Sequence, residues 1–166
     1  IAGVAETPDE VAAQARYLDD GLLFLQEGKI IALLPWHEGE TFLHPLKGYV
    51  DLRGKLLLPG FVDAHVHYPQ TEMIGAFGEQ LLEWLTTYTF PVESQFADAE
   101  YAQEIAQFFV NQLISHGTTT ALVFCTLHPA SVEALFSEAL RLNMRLIAGK
   151  VMMDRHVPDY LCETAY

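Results

Sequence analysis

The sequence is poor in cysteine, in basic residues and in long apolar runs. Its two cysteines, Cys125 and Cys162, lie far apart and form no close-spaced pair. That excludes a disulfide-stapled small domain and fits a reducing, cytoplasmic compartment. Nine Lys and Arg stand against 22 Asp and Glu, a formal net charge of −13. A chain this acidic repels phosphate backbones, so neither a nucleic-acid polymer nor an anionic membrane surface is an expected partner. The acidic residues are scattered, with no acidic tail, and read as a solvated surface. No apolar run approaches the ~18 residues of a spanning helix. The start, Ile1–Glu10, has neither the basic stretch nor the apolar core of a signal peptide. It also lacks an initiator Met, so the chain reads as clipped at its front. There is no internal repeat and no low-complexity tract.

What is present suits a packed core. The 166 residues are 51% hydrophobic and 11% aromatic, which excludes wholesale disorder. A chain of this length buries roughly 70% of its unfolded surface. Residues 1–20 are small and polar, with a short helix expected around Glu10–Arg16. Leu22–Leu25 and Ile30–Leu34 flank the turn Gln26–Lys29 and predict a β-hairpin. A loop with His37 and His44 follows, and Tyr49–Leu52 and Lys55–Leu58 repeat the hairpin pattern around Arg53-Gly54. Residues 1–58 thus read as a small antiparallel β unit that ends at Pro59-Gly60.

Beyond that point the pattern changes. Phe61–His67 is a short strand, followed by a long connection with a helix expected at Glu79–Tyr88. Between Asp98 and His116, apolar residues recur at spacings of three and four and predict an amphipathic helix that Gly117 stops. Thr118–Phe124 is a β-branched strand, Pro129 opens a helix to about Leu142, and Met144–Met152 is a third strand. Strand, helix, strand, helix, strand with apolar residues on both strand faces predicts an α/β fold, a parallel sheet and right-handed crossovers.

His65-Val66-His67 carries the chemistry. Residues two apart on a strand share a side, so both imidazoles can converge on one metal ion at ~2.0–2.1 Å each. They sit at the carboxyl end of the first parallel strand, where α/β barrels place their active sites. A catalytic zinc site needs a third protein ligand. His37, His44 and His116 are poorly placed to supply one; His128 and His156 follow later strands and could approach the same mouth, though a loop role is the default for each. Asp63 is read as facing away from the pair with a structural hydrogen-bonding role. Trp84 could stack on a flat base or serve as helix-face core. Glu79 and Glu83 could shuttle protons or lie on an exposed face, and Lys150 could reach the mouth or form an ion pair.

The run Pro59-Gly60-Phe61-Val62-Asp63-Ala64-His65-Val66-His67 resembles the first-strand signature of the amidohydrolase superfamily. Further blocks narrow the likeness: His67-Tyr68-Pro69-Gln70, Gly78–Leu85, Tyr88-Thr89-Phe90-Pro91, His116–Thr120 and Gly149–Arg155 together resemble the guanine deaminase family, over about residues 20–160. His156-Val157 stands where that family's pattern has Asn-Ala. The resemblance implies a (β/α)8 TIM-type barrel with a flanking β-sandwich, one zinc ion per complete subunit, a homodimer, and hydrolysis of guanine to xanthine and ammonia. It implies that His65 and His67 are zinc ligands and that His67, Tyr68, Pro69 and Gln70 line the substrate pocket. Gln70 suits a neutral base edge, since its amide both donates and accepts. A full barrel needs ~250 residues, and only 108 run from Pro59 to Tyr166. The remaining ligands and the general acid–base Glu are therefore expected downstream, with no catalytic residue of that kind here. The chain reads as the front portion of such an enzyme, expected to be inactive or aggregation-prone by itself. Two rivals stay open: an amidohydrolase for another cyclic amidine or amide, and a metal-free interaction module.

Overall fold

The computed structural model describes residues 17–43, 48–78 and 80–163. These fall into two compact units divided between Leu57 and Leu58. The helix expected at Glu10–Arg16, and the positions His44 and Glu79, lie outside the described residues.

In the first unit, strands β1 (Gly21–Gln26) and β2 (Lys29–Pro35) form the expected antiparallel hairpin. Its two-residue turn has positive φ at both Glu27 (49°) and Gly28 (74°), the geometry whose twist matches paired strands. The Arg53 guanidinium lies 4.3 Å from the Trp36 ring centroid and pairs with Asp20 and Asp51. The second expected hairpin does not form. Among the described residues, 48–60 hold no strand, only a turn closed by the Lys55 amide donating to the Leu52 carbonyl at 3.0 Å. Leu56, Leu57 and Leu58 are exposed, so this apolar run has β character but no ladder partner to fix it.

The second unit is a three-stranded parallel sheet in the order β3 (Phe61–His67), β4 (Thr118–Phe124), β5 (Arg145–Gly149). The third strand stops at Gly149, short of the expected Met152, because its pairing with β4 ends where β4 ends, at Phe124. Helix α1 (Ala99–Ser115) joins β3 to β4, and helix α2 (Pro129–Arg141) joins β4 to β5. Asp98 caps α1 by accepting from the Glu100 amide at 2.8 Å and the Tyr101 amide at 3.4 Å. Gly117, at φ +86°, ends it. Asp98→Ala removes that cap and is expected to cost about 1 kcal/mol, read from urea unfolding.

Ala102, Ile105, Ala106, Phe109 and Val110 of α1 pack with Ala134 and Leu135 of α2 onto Ala121, Val123 and Cys125. Between the helices, the buried Glu138 carboxylate of α2 accepts from Arg141 at 2.6 and 2.8 Å and from Asn111 of α1 at 3.5 Å. The other sheet face carries no helix among the described residues: Leu122 and Ile147 alternate with the packed residues and are exposed. Connecting β3 to α1 is a run of short turns. Tyr68–Met73 is a 3-10 turn; Leu81–Trp84, Leu85–Thr89 and Phe90–Ser94 form a helical path with a π turn in its middle, longer than the helix expected to end at Tyr88. No helix among the described residues is long and apolar enough to cross a membrane.

Candidate functional site

The site begins with an irregularity in β3. The pairing register with β4 shifts between Asp63 and Val66, which leaves an extra residue on β3. Such a residue has a backbone N–H without a ladder partner. The Asp63 carboxylate supplies one, accepting from the His65 amide at 3.0 Å. Beyond the bulge, Val66 turns toward the helix-side core, and His65 and His67 turn the other way. Their Nε2 atoms are 3.3 Å apart. Phe124, level with His67 on β4, backs both rings: it stacks on His67 at 4.7 Å and 11°, and lies 4.8 Å from His65.

Two nitrogens bound to one tetrahedral zinc at ~2.0–2.1 Å stand about 3.3 Å apart, so the pair fits two adjacent corners of such a site. Burial first, then the neighbouring His65, hold the His67 pKa below the ordinary imidazole value. This favours the neutral ring, the form that ligates metal. Among the described residues no group of three or more His, Cys, Asp or Glu side chains could hold an ion. By themselves the two histidines offer two of the three protein ligands that a catalytic zinc site needs.

His65 and His67 open onto a cleft of about 640 Å³, with Gln70, Met73, Ile74, Trp84, Phe109 and Leu113 among its walls. Tyr68–Met73 folds back directly after β3, which brings Gln70 beside the histidines. The turn is anchored twice: the Thr71 hydroxyl donates to the Tyr68 carbonyl at 2.6 Å, and the Tyr101 hydroxyl of α1 donates to Glu72. The lining is mostly apolar with a few convergent polar groups, as in small-molecule sites. Trp84 is half-buried, and its indole N–H donates to the Ala76 carbonyl at 3.2 Å, which holds the ring in the cleft wall.

The four residues His67–Gln70 separate in space. His67 and Gln70 line the cleft. Tyr68 and Pro69 are fully buried, and the Tyr68 hydroxyl donates to the Ser131 carbonyl at 2.8 Å in the core. Of the other histidines, His116 reaches the cleft's far wall, with its Nδ1 against the Gln112 carbonyl at 2.8 Å. His128 and His156 line no part of it, and His37 is exposed beside Glu38. Lys150 pairs with Glu163, and Glu83 is exposed. Two residues escaped sequence reasoning. Phe124 was visible as a strand end level with the histidines. Glu93, buried behind Gln70, lies in a helical stretch whose π turn no periodicity announces.

The sequence profile of the amidohydrolase family matches residues 56–166. The chain belongs to the amidohydrolase family. Within that family it is similar to the guanine deaminase of Escherichia coli (strain K12), 54% identical over 160 residues, which cover 96% of this chain and 36% of that one. Its structure is similar to an E. coli guanine deaminase, at a TM-score of 0.88 and 49% identity over 99% of this chain and 37% of that one. A guanine deaminase from C. acetobutylicum, solved with guanine bound in its active site, gives a TM-score of 0.74 and 33% identity over 86% of this chain and 34% of that one. This amidohydrolase chain spans about a third of the length of the relatives it matches.

Proposed function

We propose that this chain supplies the first-strand part of the active site of a guanine deaminase, which hydrolyses guanine to xanthine and ammonia. The observation that carries the reading is the convergence of the His65 and His67 Nε2 atoms, 3.3 Å apart, on a cleft that Gln70 shares. The 54% identity to a guanine deaminase supports the choice of substrate. In this reading β3, β4 and β5 are the first three strands of a (β/α)8 barrel, and the β1–β2 hairpin belongs to a flanking β-sandwich. The remaining ligands and the general acid–base Glu come from elsewhere in a cytoplasmic, homodimeric enzyme.

His65 and His67 would hold one zinc ion, which supplies a water acidified toward a pKa of ~7 and so a nucleophile at neutral pH. Phe124 fixes both imidazoles from behind, so little ring motion is lost when they ligate. The Gln70 amide offers a donor and an acceptor to a neutral purine edge. Trp84 gives the base a flat apolar wall that also excludes water. Tyr68 and Pro69 shape this surface from beneath, through packing and backbone.

Protein expressed from the complete reading frame is expected to release ammonia from guanine at an enzyme-like rate, with one zinc per subunit by elemental analysis. Adenine, cytosine and hydantoin are the comparison substrates. A preference for one of them would make this another amidohydrolase, and a protein with neither zinc nor turnover would be an interaction module.

A further inference from the structure

The cleft accounts for Gln70 but not for what lies behind it. Glu93 sits in the helical turn Phe90–Ser94, which packs against the Tyr68–Met73 turn. Only 5% of it is exposed, and no cation pairs with it among the described residues. The turn it packs against carries Gln70, and among the described residues the Gln70 amide is the one polar side chain that acts on the carboxylate, favouring its ionised form. A carboxylate buried in an apolar fold without a cation is costly, and it persists where something uses it.

We propose that Glu93 is a positioning residue for the purine-binding amide of Gln70. This rests on the reading of the cleft as a guanine site. A primary amide is nearly symmetric in shape and opposite in polarity at its two ends, so an unbraced Gln70 presents either its oxygen or its nitrogen to the ligand. An ionised carboxylate only accepts. It therefore ties down the amide nitrogen and leaves the carbonyl oxygen facing the cleft, ready to accept a ring N–H. Once protonated, the carboxyl can donate to that oxygen instead and present the wrong end.

Burial raises the Glu93 pKa to about 7, and the Gln70 hydrogen bond opposes the rise. The titratable residues on the packed elements are Tyr68, Glu72, Tyr88, Asp159 and Tyr160. None of them contributes to the shift. A raised carboxyl pKa means that the fold disfavours the charge, so stability falls as pH rises from the unfolded value toward 7. Glu93→Gln removes that cost and is expected to fold, with a melting temperature at pH 8 no lower than wild type.

The test uses enzyme from the complete reading frame, with guanine as substrate. Glu93→Gln is expected to raise KM about tenfold while kcat stays within about twofold. Gln70→Ala is expected to raise KM as well, and Glu93→Gln added to it should change nothing more, since the two act as one unit. Wild-type KM should rise as pH falls from 8 to 6, and this slope should vanish in Glu93→Gln. An unchanged KM in Glu93→Gln, or an equal further rise on the Gln70→Ala background, overturns the assignment while leaving the guanine reading intact. Wild-type enzyme that releases no ammonia from guanine overturns both.

Discussion

His67→Ala, in protein expressed from the complete reading frame, is expected to lower guanine turnover by roughly 1,000-fold or more and to leave the protein without stoichiometric zinc. The size of the effect follows from what the ring does. Unassisted water has a pKa near ~15.7, against ~7 on a well-held zinc, so losing a ligand removes most of the nucleophile at neutral pH. Gln70, Trp84 and the cleft would remain, and guanine would still bind. Stability should change little. His67 is only half-buried, and its chief packing partner, Phe124, stays in place. His65→Ala should behave in the same way, because the two Nε2 atoms define one position. Ammonia release, elemental analysis and a thermal melt on the same preparations check this. A variant that kept its zinc and turned over within tenfold of wild type would remove both residues from the ligand set.

Much of this site was legible because its residues are adjacent in sequence and obey simple periodicities. The His-X-His spacing placed two rings on one side of a strand, and the Pro-Gly before it marked where that strand begins. The helix at Asp98–His116 was legible from its apolar stripe and from the Gly117 that stops it, whereas the Asp98 cap emerged only in the structure. What failed was non-local. The apolar run at Lys55–Leu58 has strand character, but pairing is a property of two segments, and one segment cannot announce that its partner is missing. The bulge in β3 is invisible for the same reason, since it exists only relative to the register of β4. Trp84 was weighed as core because it lies among leucines. Of those leucines, Leu81 and Leu82 are exposed and Leu85 is half-buried, while the indole lines the cleft. Glu93 was hidden because burial of a carboxylate depends on what the Tyr68–Met73 turn covers.

Tyr68 is the residue for which the sequence and the structure suggest different tasks, and its truncation should be the most damaging single change in the fold. Between two cleft residues in sequence, it points instead into the core. It meets Phe96 edge-to-face at 5.1 Å and Phe109 at 5.7 Å, and its hydroxyl bonds the Ser131 carbonyl at 2.8 Å. Burial raises the phenol pKa, so it stays a protonated donor at every working pH. Tyr68→Ala would leave a ring-sized cavity at the point where β3, α1 and α2 meet, with an expected loss of about 3–5 kcal/mol in urea unfolding. Tyr68→Phe keeps the ring and removes only the hydroxyl. It should cost about 1 kcal/mol, because Ser131 loses a buried donor, while KM and kcat for guanine stay near wild type. The two readouts separate the roles: a phenol that touched substrate would raise KM at unchanged stability, whereas a core phenol lowers stability at unchanged KM. The geometry favours the second result, in which Tyr68 locks the strand end to α2 so that its neighbours on either side, His67 and Gln70, are held toward the cleft.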